Sequence, residues 1–264
     1  MLFRNIILTA FFAAIISGLL FGVMQSYATS PIIYSAEKYE VAAMPVAPTS
    51  TTDAHEHANT TAHGHENSGH HNASEWSPAT ATERVSYTFL ADVLIAFGHS
   101  LLLSSFMFLL FLKFGKPEIS WRSGVIMGLG GYLSFYLATV MGLPPEVPGT
   151  IVADLEARQL WWTLTIMATI IGLSVLYLAP NALKVAGVAL LLLPHIIGAP
   201  HPEVHGFLNP DAAAISALSQ LEHQLLLSTA WVNLVYWLAL GLSSGFFAKK
   251  LLKLNSSHST LNFT

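Results

Sequence analysis

No cysteine occurs in the 264 residues, which excludes disulfide staples and thiolate metal ligands. Charge is scarce too: Asp, Glu, Lys and Arg make up 10% of the chain, against about 25% in an ordinary soluble domain. Also missing is any G-x-x-x-x-G-K-[ST] stretch, the loop that cradles nucleotide phosphates, so ATP hydrolysis would need another chain.

What remains is apolar. Hydrophobic residues are 53% of the chain and the mean hydropathy is +0.55, which points to a membrane. Runs near the roughly 20 residues that cross a bilayer lie at Ile6 to Val23, Phe89 to Phe111, Gly124 to Met141, Trp161 to Leu178, Ala182 to Ala199 and Leu225 to Phe247. The expected fold is an all-α integral membrane protein, a bundle of about six transmembrane helices. Pro194 interrupts the fifth run, so a five-span or re-entrant arrangement stays open. The first run is read as a retained helix rather than a cleaved signal, because Ala10, Ala14, Gly18 and Gly22 form a small-residue stripe at i+4 spacing suited to helix packing. Gly124 with Gly128, and Gly241 with Gly245, are read the same way.

Cytoplasmic loops of membrane proteins are enriched in Lys and Arg. Arg4, Lys113, Lys116, Arg122, Lys184, Lys249, Lys250 and Lys253 fall on one side with both termini, and only Lys38, Arg84 and Arg158 on the other. Both ends are therefore expected in the cytoplasm, with an even number of crossings. Four parts follow: an N-terminal helix at 1–27, an extracytoplasmic His-rich and largely disordered loop at 28–86, a five-helix membrane bundle at 87–248 and a cytoplasmic tail at 249–264. Thirteen of the fifteen acids lie on the outer side, leaving Glu118 inside and Asp92 within the second span.

The stretch "DAHEHANTTAHGHENSGHHN", residues 53–72, holds six of the twelve histidines and nothing able to form a core. His55, His57, His63, His65, His70 and His71 offer imidazole nitrogens on a flexible tether, with Glu56 and Glu66 beside them. Such ligands suit borderline divalent metals such as Zn, Ni, Cu and Co, held in several weak sites rather than one cage. A second cluster, "LLLPHIIGAPHPEVHG", carries His195, His201, Glu203 and His205. Its prolines restrict the backbone, and in an extended stretch 201, 203 and 205 would point one way, converging two imidazoles and a carboxylate.

Asp92 and His99 are seven residues apart, nearly two helical turns, so they share one face about 10.5 Å apart along the axis. Ionisable groups at such depth face a bundle interior or an aqueous path. The pair could lead a cation inward, or Asp92 could reach interfacial water while His99 bonds a hydroxyl. His223, beside Glu222, could complete an outer vestibule or simply anchor the helix at the interface. Trp161 and Trp162 stand where an aromatic belt is expected.

Several stretches together resemble the CbtA family of proposed cobalt-transporter subunits: "TSPIIYSAEKYE", "EWSPA", "MGLPPEVPG", "ARQLWW" and "LLLPHIIGAPHPEVHG". The resemblance runs almost end to end, the last three pieces being specific as a set. It draws attention to Pro144, Pro145 and Glu146, to Arg158, Gln159, Trp161 and Trp162, and to His195, Pro200, Glu203, His205 and Gly206. Glu146 and Arg158 read either as a solvated loop acid and a snorkelling arginine or as a polar latch between the loop after span three and the start of span four.

The resemblance implies Co2+ as the transported ion, a small histidine-bearing companion membrane subunit of the CbtB type, and the bacterial inner membrane. The residues alone argue only for a divalent transition metal. No tightly bound cofactor, no catalytic residue and no nucleic-acid partner are expected; the lipid bilayer is. Nickel or zinc transport, a non-transporting metal sensor or assembly factor, and a membrane-embedded zinc hydrolase are the competing readings.

Overall fold

The computed structural model describes residues 2–43, 80–115 and 118–261; the six tether histidines lie outside the described residues. These residues form helices α1 (Leu2–Ala28), α2 (Ser30–Ala43), α3 (Ala81–Phe114), α4 (Trp121–Tyr132), α5 (Ala138–Val140), α6 (Leu155–Leu178), α7 (Asn181–Ile197) and α8 (Ala212–Leu261). A five-residue π turn, Leu133–Leu137, joins α4 to α5. Five stretches are long and apolar enough to cross a membrane: Leu2–Ala28, Thr82–Phe114, Trp121–Val140, Leu155–Leu178 and Ala212–Leu252. The chain is thus an all-helical, multi-pass membrane protein.

Small residues bring the central helices together. Ala10, Ala14, Gly18 and Gly22 are all buried along α1, and a Cβ built on Gly18 would collide with the Val93 backbone of α3. Where α4 meets α8 the contact is backbone on backbone: a Cβ on Gly124 would strike the Gly241 carbonyl, one on Gly128 the Trp237 carbonyl, and one on Gly245 the Ser120 carbonyl. Without a hydrophobic drive between helices in lipid, such close approach supplies the dispersion contacts that hold the bundle. Ala14, Ala96, Tyr236, Trp237 and Leu240 form the centre of this packing, and Met107, Phe108, Ile119 and Ala248 a second cluster nearer the other end.

The ends of the helices depart from the sequence reading. Residues 30–43, placed by that reading in the outer loop 28–86, form α2 instead. Its apolar residues Ile32, Ile33, Ala36 and Tyr39 have a surface to cover, packing with Val147, Phe207, Leu218 and Leu225. Arg84 on α3 donates to Glu37 on α2 at 2.5 Å and lies over the Tyr34 ring at 4.6 Å. The second crossing begins at Ala81, well before Phe89, with the Thr80 hydroxyl capping the amide of Glu83. α8 begins at Ala212 rather than near Leu225; Asp211 accepts from the Ala214 amide at its start. Its 50 residues would run about 75 Å, far beyond a hydrocarbon core of about 30 Å, so much of the helix extends past the apolar layer.

α6 and α7 form a hairpin beside the core. Gly172 and Gly187 face each other across it, and the Trp161 indole donates to the Pro194 carbonyl at 3.2 Å. α7 therefore runs back along almost the whole of α6. Its 17 residues rise about 25 Å, with Pro194 inside the last turn.

Candidate functional site

The loop before α6 and the loop before α8 are clipped to one another. The Ile151 amide donates to Gly206 at 2.9 Å and the Leu208 amide to Gly149 at 2.8 Å, closing an isolated antiparallel bridge between Thr150 and Phe207. Gly149 has φ +84° and Gly206 φ +132°, conformations that a side chain would strain. The Asn209 amide reaches back to the Tyr39 carbonyl of α2 at 2.9 Å.

Between these loops, the start of α6 and the N-terminal turns of α8 lies a recess of about 400 Å³. Pro144, Glu146, Arg158, His201, His205 and Glu222 are on its wall. Three stretches far apart in sequence meet here. Gly142 packs against the Trp161 ring and Ala199, so the residues before "PPEVPG", those of "ARQLWW" and those after "LLLPHII" interlock directly beneath the recess.

Arg158 donates from Nη2 to Glu146 Oε2 at 2.6 Å, so the polar-latch reading describes the geometry. The side chains are 25% and 24% exposed, sheltered enough for the pair to order the loop against α6. His201 and His205 stand with ring centroids 6.0 Å apart and nearly edge to face, both exposed. Glu203 is exposed and is not on the wall. The chain bends at residues 203 and 204 rather than staying extended, so the strict alternation that would aim 201, 203 and 205 together does not hold. Among the described residues no three or more His, Asp or Glu side chains are gathered closely enough to hold a metal.

The remaining sequence candidates lie elsewhere. His195, in the last turn of α7, sits edge-on to Trp161 at 6.1 Å. Trp162 is exposed and touches the Phe135 ring at 6.4 Å. His223 is exposed and lines only a shallow depression along α8, with Ser216, Ser219, Gln220 and Gln224. Its neighbour Glu222 is the one that reaches the recess, as the roughly 100° turn between successive helical residues requires. Sequence reasoning passed over Glu222 because nothing in the local pattern tells which of two adjacent polar residues faces inward.

Asp92 and His99 both face the bundle, as their spacing implies, but they do not share a partner. Asp92 is 5% exposed; Gln25 of α1 donates to its Oδ1 at 2.9 Å, and its Oδ2, beside Gly22, has no partner. His99 Nδ1 meets the Tyr236 hydroxyl at 2.9 Å, and Phe135 and Trp237 enclose its ring at 4.9 and 4.8 Å. Phe135 belongs to the π turn, a feature that often marks functional positions in helices.

A family model described as "Probable cobalt transporter subunit (CbtA)" matches residues 3–249. The chain belongs to the CbtA family. Membership covers all five long crossings and every wall residue of the recess. The family's description is that of a transporter subunit, which is not an enzyme class, and the word subunit implies an assembly of more than one chain. No curated protein and no solved structure matches the chain.

Proposed function

We propose that this chain is the membrane subunit of a cobalt uptake system and that the outer recess is where the divalent ion is captured. The observation that carries the reading is the convergence of its three characteristic stretches on one recess, with His201 and His205 side by side at its rim. Imidazole nitrogens suit Co, Ni and Zn, and a polar hollow on the outer side of a helical bundle is where a hydrated ion would arrive.

The tether histidines at 55, 57, 63, 65, 70 and 71 would raise the metal concentration near this recess. Asp92 and His99 are then the polar groups inside the bundle that an ion travelling inward would meet next. α7 is taken as a sixth crossing. α6 leaves the outer loops and α7 ends beside them, held at Trp161 and Pro194, so a hairpin whose first arm crosses must cross back. Six crossings would put both termini on one side, and the Lys and Arg distribution favours the cytoplasmic side of a bacterial inner membrane. A CbtB-like companion bearing histidine would complete the assembly.

Uptake of radioactive cobalt by cells carrying the wild-type gene, His201→Ala or His205→Ala tests the reading. Either substitution is expected to reduce uptake even at high metal. Unimpaired uptake by both variants would remove the recess from the transport route.

A further inference from the structure

The recess wall carries two charged groups beyond its histidines and Glu146: Arg158 and Glu222. Glu222 is half-buried and within electrostatic reach of Glu146. The ion pair made by Arg158 goes to Glu146, not to Glu222, and it is a single Nη2–Oε2 bond rather than the two-pronged fork that makes the strongest arginine pairs. The buried Nε of Arg158 has no partner. Arg158 thus holds Glu146 by one short bond, while Glu222 lines the same hollow as Glu146, His201 and His205 without an arginine of its own.

We infer that Glu222 is a second carboxylate ligand of the metal-capture recess and that Arg158 is its resident counter-ion, seated on Glu146 until a divalent cation displaces it. The inference rests on the reading of the recess as the capture site. Charge favours the exchange. A guanidinium, which only donates, neutralises one of the two carboxylates, whereas a divalent ion neutralises both and takes nitrogen from the imidazoles as well. Leaving Glu146 also frees the guanidinium to turn its unsatisfied Nε to water. Displacement would free Glu146 to join Glu222, His201 and His205, which line the same hollow, in closing on an ion. An arginine competing for the same oxygens keeps the affinity moderate, which suits a site that must release its ion inward.

A merely structural latch predicts the opposite sign for loss of the arginine, so the sign decides. Cobalt binding is measured by titration calorimetry on the full-length chain in lipid nanodiscs, for wild type, His205→Ala, Glu222→Gln, Arg158→Gln and Arg158→Lys. The component lost in His205→Ala is the recess. Glu222→Gln is expected to weaken that component, and Arg158→Gln to tighten it, each by about tenfold, the scale of one partly screened charge a few ångströms away. Arg158→Lys should fall between Arg158→Gln and wild type. Unchanged affinity in Glu222→Gln, or unchanged or weaker affinity in Arg158→Gln, overturns the inference. If Arg158→Gln does not fold, Glu222→Gln decides alone. If His205→Ala loses no component, the capture reading itself fails, and the two failures are distinguishable.

Discussion

The bundle core and the outer recess share α8 but are made of opposite materials. In the core, glycines set backbone against backbone, as where Gly124 and Gly128 meet Gly241 and Trp237, and the polar groups there are mostly spent on their own helices, as when Ser17 donates to the Ala13 carbonyl. In the recess, Arg158 and Glu146 pair, but His201, His205 and Glu222 stand along an open wall. Close packing tolerates no inserted atom, whereas a wall of half-exposed carboxylates and imidazoles can rearrange around an ion. The difference teaches that this fold separates tight packing from open polar surface: α1, α3, α4 and α8 fix the frame, and the loops clipped between α5, α6 and α8 wall the polar recess.

The sharpest way to break that comparison is to alter the frame. Gly124→Leu or Gly241→Leu would drive a side chain into a carbonyl of the opposing helix, where no flexible atom can yield. Overpacking ordinarily costs about 1–3 kcal/mol, and collision with rigid backbone lies at or beyond the upper end. Both variants are expected to lose most of the folded protein, read as yield and thermal midpoint in detergent. A Gly98→Leu control, at a position with open space around it, should fold normally. Equal behaviour of all three would mean that the glycine seam does not hold the frame.

Next in size is the effect of emptying the recess rim without touching the frame. His201→Ala with His205→Ala should abolish most cobalt uptake while leaving the stability within about 1 kcal/mol of wild type, as expected for exposed side chains. A large loss of stability would assign these rings to the structure instead.

The frame was far more legible in sequence than the recess. Bilayer thickness imposes a length on every crossing, and that length is written locally, in uninterrupted apolar runs; the stripe from Ala10 to Gly22 even named the buried face of α1. What escaped is non-local. α2 is a helix because Val147, Phe207 and Leu218 cover its apolar residues, and those come from three distant segments. The same holds at the recess. The Glu146–Arg158 pair could be named as one of two options, but its choice depended on where the 141–154 loop lies. Glu203 was placed with the histidines on the assumption of an extended chain, and the bend that removes it follows from loop clipping at Gly206. Glu222 had no signal of its own apart from its place beside His223.

A smaller effect is expected within the frame, at Asp92, the one buried carboxylate among the described residues. Asp92→Asn keeps a hydrogen-bonding acceptor for Gln25 and nearly the same volume, so the bundle should fold as before. With the charge gone, an ion moving inward would lose its first acidic stop. The maximal rate of cobalt uptake is expected to fall severalfold while half-saturation at the recess stays put. A shift in half-saturation with an unchanged rate would place Asp92 with the outer site, contrary to its burial beside α1.

The smallest effect should come from residues 53–72, which lie outside the described residues and so add nothing to either region as described. Deleting residues 53–72 removes six histidines but leaves the recess wall and the glycine seams intact. A tethered ligand raises local concentration only while the ion is scarce; once bulk metal saturates the recess, extra capture adds nothing. The deletion should therefore raise the cobalt concentration for half-maximal uptake and spare the maximal rate. Loss of neutral imidazole donors on acidification should mimic it in the wild type, since protons compete with metal for the same nitrogens, and the deletion should be less sensitive to that change. Identical uptake by wild type and deletion at limiting cobalt would show that the recess alone governs capture. A fall in the maximal rate would mean instead that the histidines reach into the route itself, and the division between frame, recess and tether would have to be redrawn.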